Sequence, residues 1–242
     1  MALKDLIRQL AGSVGDVLSP RRCAVCGNVL GGDEQHLCRR CLMELPRTGY
    51  HKVPFNAMEQ LFAGKVPIER ATAFFYYEKG SPYAAILHDM KYRHVPTMGR
   101  YLASLAAAEL QASGFFDGVE VIVPVPLHIT KLAQRGYNQS EYLAQGLRDA
   151  TGLEVSQALV ATREHATQTH KGAEARYQNT RDTFALDERR ASALTGRHVL
   201  LVDDVVTTGA TLQACAEAVH ALPDTTISLF TLAAARLACG PV

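Results

Sequence analysis

The chain has no tryptophan, only 7% aromatic residues and no excess of either charge: 25 Lys and Arg stand against 24 Asp and Glu, a formal net charge of +1. Such a balance excludes a uniformly basic nucleic-acid binder but leaves room for a local patch. Long apolar runs are also missing. Lys4, Asp5, Arg8 and Asp16 interrupt the first eighteen residues, so neither a signal peptide nor a membrane span is expected there. No later run reaches the roughly 20 apolar residues a span needs. The expected location is the cytoplasm, where cysteines stay reduced unless a metal holds them. A GxxxxGK[ST] loop is absent as well, which argues against a nucleoside triphosphate as ligand.

What the chain does have is apolar material, 48% of 242 residues, enough for one large domain or one domain plus a small module. The most informative stretch is Val199–Thr211, Val-Leu-Leu-Val-Asp-Asp-Val-Val-Thr-Thr-Gly-Ala-Thr, followed by helical spacing over Leu212–Leu222. A β-branched run bounded by turn residues is the pattern of a strand buried on both faces, as in a parallel sheet flanked by helices. That strand would deliver Asp203 and Asp204 to the sheet's carboxyl end, where open α/β sheets bind ligands. The turn Thr207–Thr211 offers backbone N–H groups, a glycine free to take φ > 0 and hydroxyls, with a helix N-terminus behind it. A phosphate suits the turn. Carboxylates repel phosphate but accept hydrogen bonds from vicinal hydroxyls and hold the waters of a magnesium ion, so a sugar phosphate would satisfy both halves.

These thirteen residues resemble the phosphoribosyl-pyrophosphate motif of type I phosphoribosyltransferases. The resemblance implies that Asp203 and Asp204 take the ribose hydroxyls and that Thr207, Thr208, Gly209, Ala210 and Thr211 take the 5′-phosphate.

Earlier in the chain, Leu3, Leu6, Ile7, Leu10, Val14, Val17 and Leu18 form an apolar stripe that predicts an amphipathic helix over Ala2–Leu18. Packing within the protein and peripheral contact with a partner or membrane surface are the two readings of it. Cys23, Cys26, Cys38 and Cys41 follow in a C-x2-C-x11-C-x2-C pattern. Two such knuckles complete a tetrahedral, closed zinc site that is structural rather than catalytic; disulfides, which the lack of an export signal disfavours, and an iron–sulfur cluster are the alternatives. Arg21, Arg22, Arg39, Arg40 and Arg47 outnumber the ribbon's acids Asp33, Glu34 and Glu44. They suit either nucleic-acid phosphates or plain solvated surface. The expected division is residues 1–52 for helix and ribbon and 53–242 for a larger domain.

Within that larger domain, Tyr50–Arg70 reads as a connection and Ala71–Tyr77 as a strand. Ser81 and Pro82 start a helix that carries His88, Lys91 and Tyr92 to near Pro96, and a second helix spans about Met98–Ala112. Val119–Val125 is a strand that ends in Val123-Pro124-Val125-Pro126, because proline cannot donate to a ladder. Lys131, Arg135, Gly136, Tyr137, Asn138 and Gln139 come next, before a helix containing Tyr142, Leu143 and Leu147. Cations and amides at a strand's carboxyl end are what a pyrophosphate needs, although solvated surface is the plainer reading of Lys131 and Arg135. Thr162–Thr183 is a long polar tract, 198–202 a strand and Thr226–Ala233 the last strand. Cys215 reads as a small buried apolar residue.

Taken together, the ribbon, Met90-Lys91-Tyr92, Val-Pro-Val-Pro-Leu with Lys131 and Arg135-Gly136-Tyr137-Asn138-Gln139, and the Asp-Asp-Thr-Thr-Gly loop closely resemble the ComF family (ComFC-like and GntX-like proteins). Arg163, Thr167, Gln168, Arg176, Asn179 and Phe184 fit the family's pattern in the polar tract, where Lys171 replaces the usual leucine. This resemblance implies a type I phosphoribosyltransferase-like α/β fold with a mainly parallel sheet. It also implies phosphoribosyl pyrophosphate and magnesium as ligands, with Lys91, Lys131 and Arg135 added to the ligand contacts. Were the site to turn over, pyrophosphate would leave the anomeric carbon, with Asp203, Asp204, Lys131 and Arg135 in the catalytic set. The implied role is handling of single-stranded DNA with the DNA-uptake machinery in natural transformation. A nucleotide-salvage phosphoribosyltransferase and a ligand-sensing regulator on the same fold are the alternatives.

Overall fold

In a computed structural model, which describes residues 20–162 and 183–236, seven strands and eight helices follow one another in α/β fashion among the described residues. In chain order they are α1 (Arg39–Met43), α2 (Ala57–Phe62), β1 (Arg70–Tyr77), α3 (Ala84–Tyr92), α4 (Pro96–Gln111), β2 (Val121–Pro124), α5 (Ile129–Arg135) and α6 (Gln139–Thr151). There follow β3 (Glu154–Val155), β4 (Leu159–Ala161), β5 (Phe184–Leu186), α7 (Glu188–Ala191), β6 (His198–Val206), α8 (Ala210–His220) and β7 (Thr226–Ala235). The stripe Ala2–Leu18, the tract positions Arg163, Thr167, Gln168, Lys171, Arg176 and Asn179, and Cys239 lie outside the described residues.

Five strands form one wholly parallel sheet in the order β1-β7-β6-β2-β3, and β4 pairs with β5 in a separate antiparallel ribbon. Side chains alternate across the sheet and divide the core in two. Leu200, Val202 and Ile122 pack with Leu102, Ala106 and Leu143 of α4 and α6, whereas Val199, Leu201 and Val121 pack with Leu212, Cys215 and Val219 of α8. Both faces are therefore covered, as a parallel sheet requires. Cys215 is fully buried, as expected. Between α4 and α6 the approach is so close that a Cβ on Gly146 would lie 2.1 Å from the Arg100 carbonyl oxygen. Only glycine fits at that crossing.

Helix boundaries depart from expectation in three places. The Tyr50–Arg70 connection contains α2, which is started by a capping box: Asn56 Oδ1 accepts from the N–H groups of Met58 and Glu59, and Glu59 accepts from Asn56 N–H. Ser81 does not cap α3, which begins at Ala84 with no side-chain cap, after a turn closed by Ala84 N–H on the Ser81 carbonyl. Lys131 and Arg135 lie on their own helix, α5, which buries no residue and so carries no apolar stripe to read.

The cysteine segment packs onto the larger unit. Cys23, Leu30, Leu37, Cys38, Cys41 and Leu45 share the core of α4. Arg47 Nε pairs with Glu109 at 2.6 Å, and Tyr83 Oη donates to the Cys41 carbonyl at 3.2 Å. Residues 46–48 then cover the outer edge of β1, where Tyr76 N–H donates to the Pro46 carbonyl at 2.7 Å and Thr48 N–H to the Phe74 carbonyl at 3.2 Å. An edge strand so covered offers no ladder to another chain. No described helix is long and apolar enough to cross a membrane.

Candidate functional site

The carboxyl ends of β2 and β6 open onto a cleft of about 230 Å³. β2 pairs with β6 only as far as Pro124 opposite Val202, so Asp203 and Asp204 stand beyond its end. Adjacent residues of a strand normally face opposite ways. Here the alternation slips: Leu200 and Val202 join one core and Val199 and Leu201 the other, yet Val205 packs with the first and Val206 with the second. Both carboxylates line the same cleft in consequence. Asp203 Oδ1 accepts from its neighbour's N–H at 2.8 Å and from Ser140 Oγ at 3.0 Å, and Asp204 Oδ2 pairs with Lys91 Nζ at 2.8 Å.

Each expected ligand residue can now be located. Lys91, Lys131, Arg135, Asp203, Asp204 and Thr211 line the cleft. Thr207, Thr208, Gly209 and Ala210 line a hollow of about 30 Å³ beside it, which shares Asp203 and Thr211. Gly209 takes φ 77 and serves as N-cap of α8 without any side-chain cap, so the first-turn N–H groups are left for an anion. A Cβ at Gly209 would meet Leu61 Cδ2 at 2.9 Å and the Phe62 ring at 3.1 Å. The turn therefore rests on α2, and both its φ and its backing require glycine.

The Arg-Gly-Tyr-Asn-Gln element divides its labour. Arg135 Nη1 donates to Gln139 Oε1 at 3.0 Å, and both side chains reach the cleft. Tyr137 Oη donates to the Met90 carbonyl at 2.5 Å and fastens the element to α3. Asn138 caps α6 by accepting from Ser140 N–H at 3.1 Å while its amide donates to the Val125 carbonyl at 3.0 Å, so it fixes the end of β2.

A phosphoribosyl transferase domain matches residues 96–237, more than half of the chain. The chain belongs to the phosphoribosyl transferase family, in its ComF branch. DNA utilization protein YhgH of Escherichia coli (strain K12) is 30% identical over 199 residues, covering 81% of this chain and 82% of that protein. Competence protein F of Haemophilus influenzae is 30% identical over 217 residues, covering 88% of this chain and 84% of its own. Among solved structures, the glutamine phosphoribosylpyrophosphate amidotransferase from B. subtilis superposes on 57% of this chain and 26% of its own with a TM-score of 0.38 and 18% identity.

Within this phosphoribosyl transferase-type domain the acid pair is electrostatically loaded. Burial, and then the adjacent Asp204 carboxylate, push Asp203 up to about 7, against the pull of Asp204 N–H, Lys91 and Ser140. Below that pH Asp203 is a neutral acid; above it the pair carries two negative charges against one lysine. Hydroxyl donors or a cation that need both carboxylates are thus bound more weakly as pH falls through about 7.

Far from the cleft, the sulfurs of Cys23, Cys26, Cys38 and Cys41 lie within 4.8 Å of one another, with Cys26 and Cys38 3.7 Å apart. Zinc–sulfur bonds of about 2.3 Å in a tetrahedron put sulfurs about 3.8 Å apart, so the cluster fits such an ion. The ribbon arginines are exposed but mostly engaged with neighbouring groups of the ribbon. Arg39 pairs with Asp33, Arg40 with Glu44 at 3.0 Å, Arg21 donates to the Glu34 carbonyl at 2.8 Å and Arg22 to that of Gly27 at 3.1 Å. Two of the four meet carboxylates and two meet only carbonyls, so both readings of these arginines, phosphate contact and solvated surface, stay open.

Sequence reasoning missed Ser140 and His128, which also line the cleft. Ser140 reaches Asp203 across 63 positions, a pairing no local spacing announces. His128 had a local signal: it stands directly before α5, and its Nδ1 accepts from Thr130 N–H at 3.3 Å as a cap.

Proposed function

We propose that the chain acts in DNA uptake and use, binding single-stranded DNA, and that its cleft takes phosphoribosyl pyrophosphate with magnesium. The observation that carries the ligand reading is the acid pair and the uncapped threonine-glycine turn meeting at one strand end, with Lys91, Lys131 and Arg135 opposite. Ribose hydroxyls would donate to Asp203 and Asp204, the 5′-phosphate would sit on the turn of Thr207–Thr211, and Lys131 and Arg135 would face the pyrophosphate. Magnesium, when bound, supplies charge neutralisation of the pyrophosphate, and the loaded acid pair suits a cation or its waters. The four cysteines would hold a structural zinc ion, and we retain a division into residues 1–52 and 53–242.

The DNA half of the proposal draws support from two relatives, one named for DNA utilization and the other for competence. Filter retention of labelled single-stranded DNA at two salt concentrations tests it. Affinity should fall steeply with salt, with a slope of about 0.7 per phosphate neutralised; retention that is absent or insensitive to salt would sink this half.

Turnover as a salvage phosphoribosyltransferase is the second reading, favoured by the complete acid pair and turn within the family domain. It requires pyrophosphate release with some base acceptor.

A further inference from the structure

The rim of the cleft carries side chains for which the ligand site has no use. Lys91 is drawn onto Asp204, but the next residue, Tyr92, is 62% exposed. The Arg135 guanidinium lies 5.5 Å from the centre of the Tyr92 ring, and the His88 ring lies 5.3 Å from it on the other helical neighbour. Arg93 follows with an exposed side chain. His94 comes next, exposed and in the left-handed region at φ 55, the chain there being held by Arg93 and Val95 N–H groups on the Asp89 carbonyl. Its ring is 6.0 Å from that of Tyr137, which in turn is 5.8 Å from Tyr142.

There are thus two short series of rings, His88–Tyr92 and His94–Tyr137–Tyr142. The Tyr137 hydroxyl bond to the Met90 carbonyl ties them together. Arg135 belongs to both the ridge and the cleft, so the two surfaces are continuous. The acids that face the ridge are few. Asp89 is buried and already accepts from Arg93 Nε at 3.3 Å and lies 3.4 Å from His88 Nδ1, and Glu141 stands in the first turn of α6.

His88, Tyr92 and His94 are exposed and Tyr137 and Tyr142 half-buried behind them. Exposed rings beside guanidinium groups are what a single strand needs, since unpaired bases stack on rings while the flanking phosphates meet cations. A duplex would keep its bases stacked out of reach of these rings. On the ribbon side, by contrast, the cation–ring contact is that of Arg47 with Phe74, a buried ring that offers no base a platform.

We infer that this ridge, and not the cysteine ribbon, is the single-strand binding surface, with Tyr92 as a platform for a base and Arg93 meeting the phosphate beside it. The inference rests on the DNA-binding reading proposed above and adds the surface to it.

Oligothymidine binding, followed by anisotropy of a labelled strand, tests it with four variants of the full chain. Tyr92→Ala should bind about tenfold more weakly, Tyr92→Phe should bind as the wild type does, and the double change Arg39→Gln, Arg40→Gln should leave affinity within about twofold. Because the chain has no tryptophan, Tyr92→Trp introduces a single indole, whose emission should be quenched as the strand binds. Salt-sensitive binding by the wild type, with Tyr92→Ala unimpaired and the Tyr92→Trp indole unquenched, would overturn the surface while leaving the DNA reading intact. A wild type that binds no oligothymidine at any salt would overturn both.

Discussion

Replacing Cys38 with serine is expected to strip the metal from the ribbon and to unfold residues 21–45. The segment is too short to bury a core of its own, and metal binding supplies about 10–16 kcal/mol of folding free energy in comparably small zinc modules. Serine offers a hydroxyl in place of a thiolate and leaves three sulfurs, so the closed tetrahedral site is broken. The consequences should reach further than the ribbon, because Leu30, Leu37 and Leu45 share their core with α4 and residues 46–48 cover the edge of β1. Metal content by atomic absorption and limited proteolysis of the full chain check this: metal should fall from about one ion per chain to near zero, with new cleavage confined at first to the ribbon. Retained metal and unchanged proteolysis in Cys38→Ser would show that the four sulfurs are not the ligands.

The next largest effect is expected from Lys91→Met. Lys91 and Asp204 are mostly buried, at 19% and 11% side-chain exposure, and Lys91 is the cation that meets the two adjacent carboxylates. Removing one partner of a buried pair strands the other charge, and about 3 kcal/mol of stability should be lost. Methionine keeps most of the stem, so little of this loss is packing.

The deficit should depend on pH in a definite direction. Asp203 has a folded-state value raised well above its unfolded one, so the folded protein holds a proton that the unfolded chain releases. The associated penalty is absent at low pH and appears as pH rises from the ordinary carboxylate range to about 7. Urea unfolding of Lys91→Met should accordingly show its largest deficit above about pH 7 and a smaller one near about pH 5, with Lys91→Arg recovering much of the difference. A deficit that grows as pH falls would contradict the pairing.

Much of this architecture could be read from local patterns because local physics determines it. Val199–Val202 is apolar on both faces since it sits in the middle of a sheet covered on both sides, and the acid pair follows where the neighbouring strand stops at Pro124. The cysteine spacing announced a cluster that the fold does assemble. The capping box of Asn56 and Glu59 was equally present, but Pro54, Gly64 and Pro67 around it suggested a connection and hid α2. That omission mattered, since α2 supplies Leu61 and Phe62 under the turn at Gly209. α5 was not readable because it buries nothing and needs no periodicity.

Pairings across long separations were beyond any local pattern. Lys91 meets Asp204, Ser140 meets Asp203 and Arg135 covers Tyr92 only because the parallel sheet brings α3, α5, α6 and β6 to one end. The ribbon arginines were left open between phosphate contact and solvated surface, and their pairing with Asp33 and Glu44, close in sequence, depends on the fold of the cysteine loop.

The measurement closest to the central claim is a calorimetric titration of the full chain with phosphoribosyl pyrophosphate and magnesium at about pH 6 and about pH 8. One saturable site per chain is expected, about tenfold tighter at the higher pH because Asp203 must shed its proton near 7. The double change Asp203→Asn, Asp204→Asn should weaken binding by about a hundredfold and flatten the part of the pH dependence that belongs to the protein. No saturable binding by the wild type, or equal binding by the double variant, would contradict the assignment of the cleft.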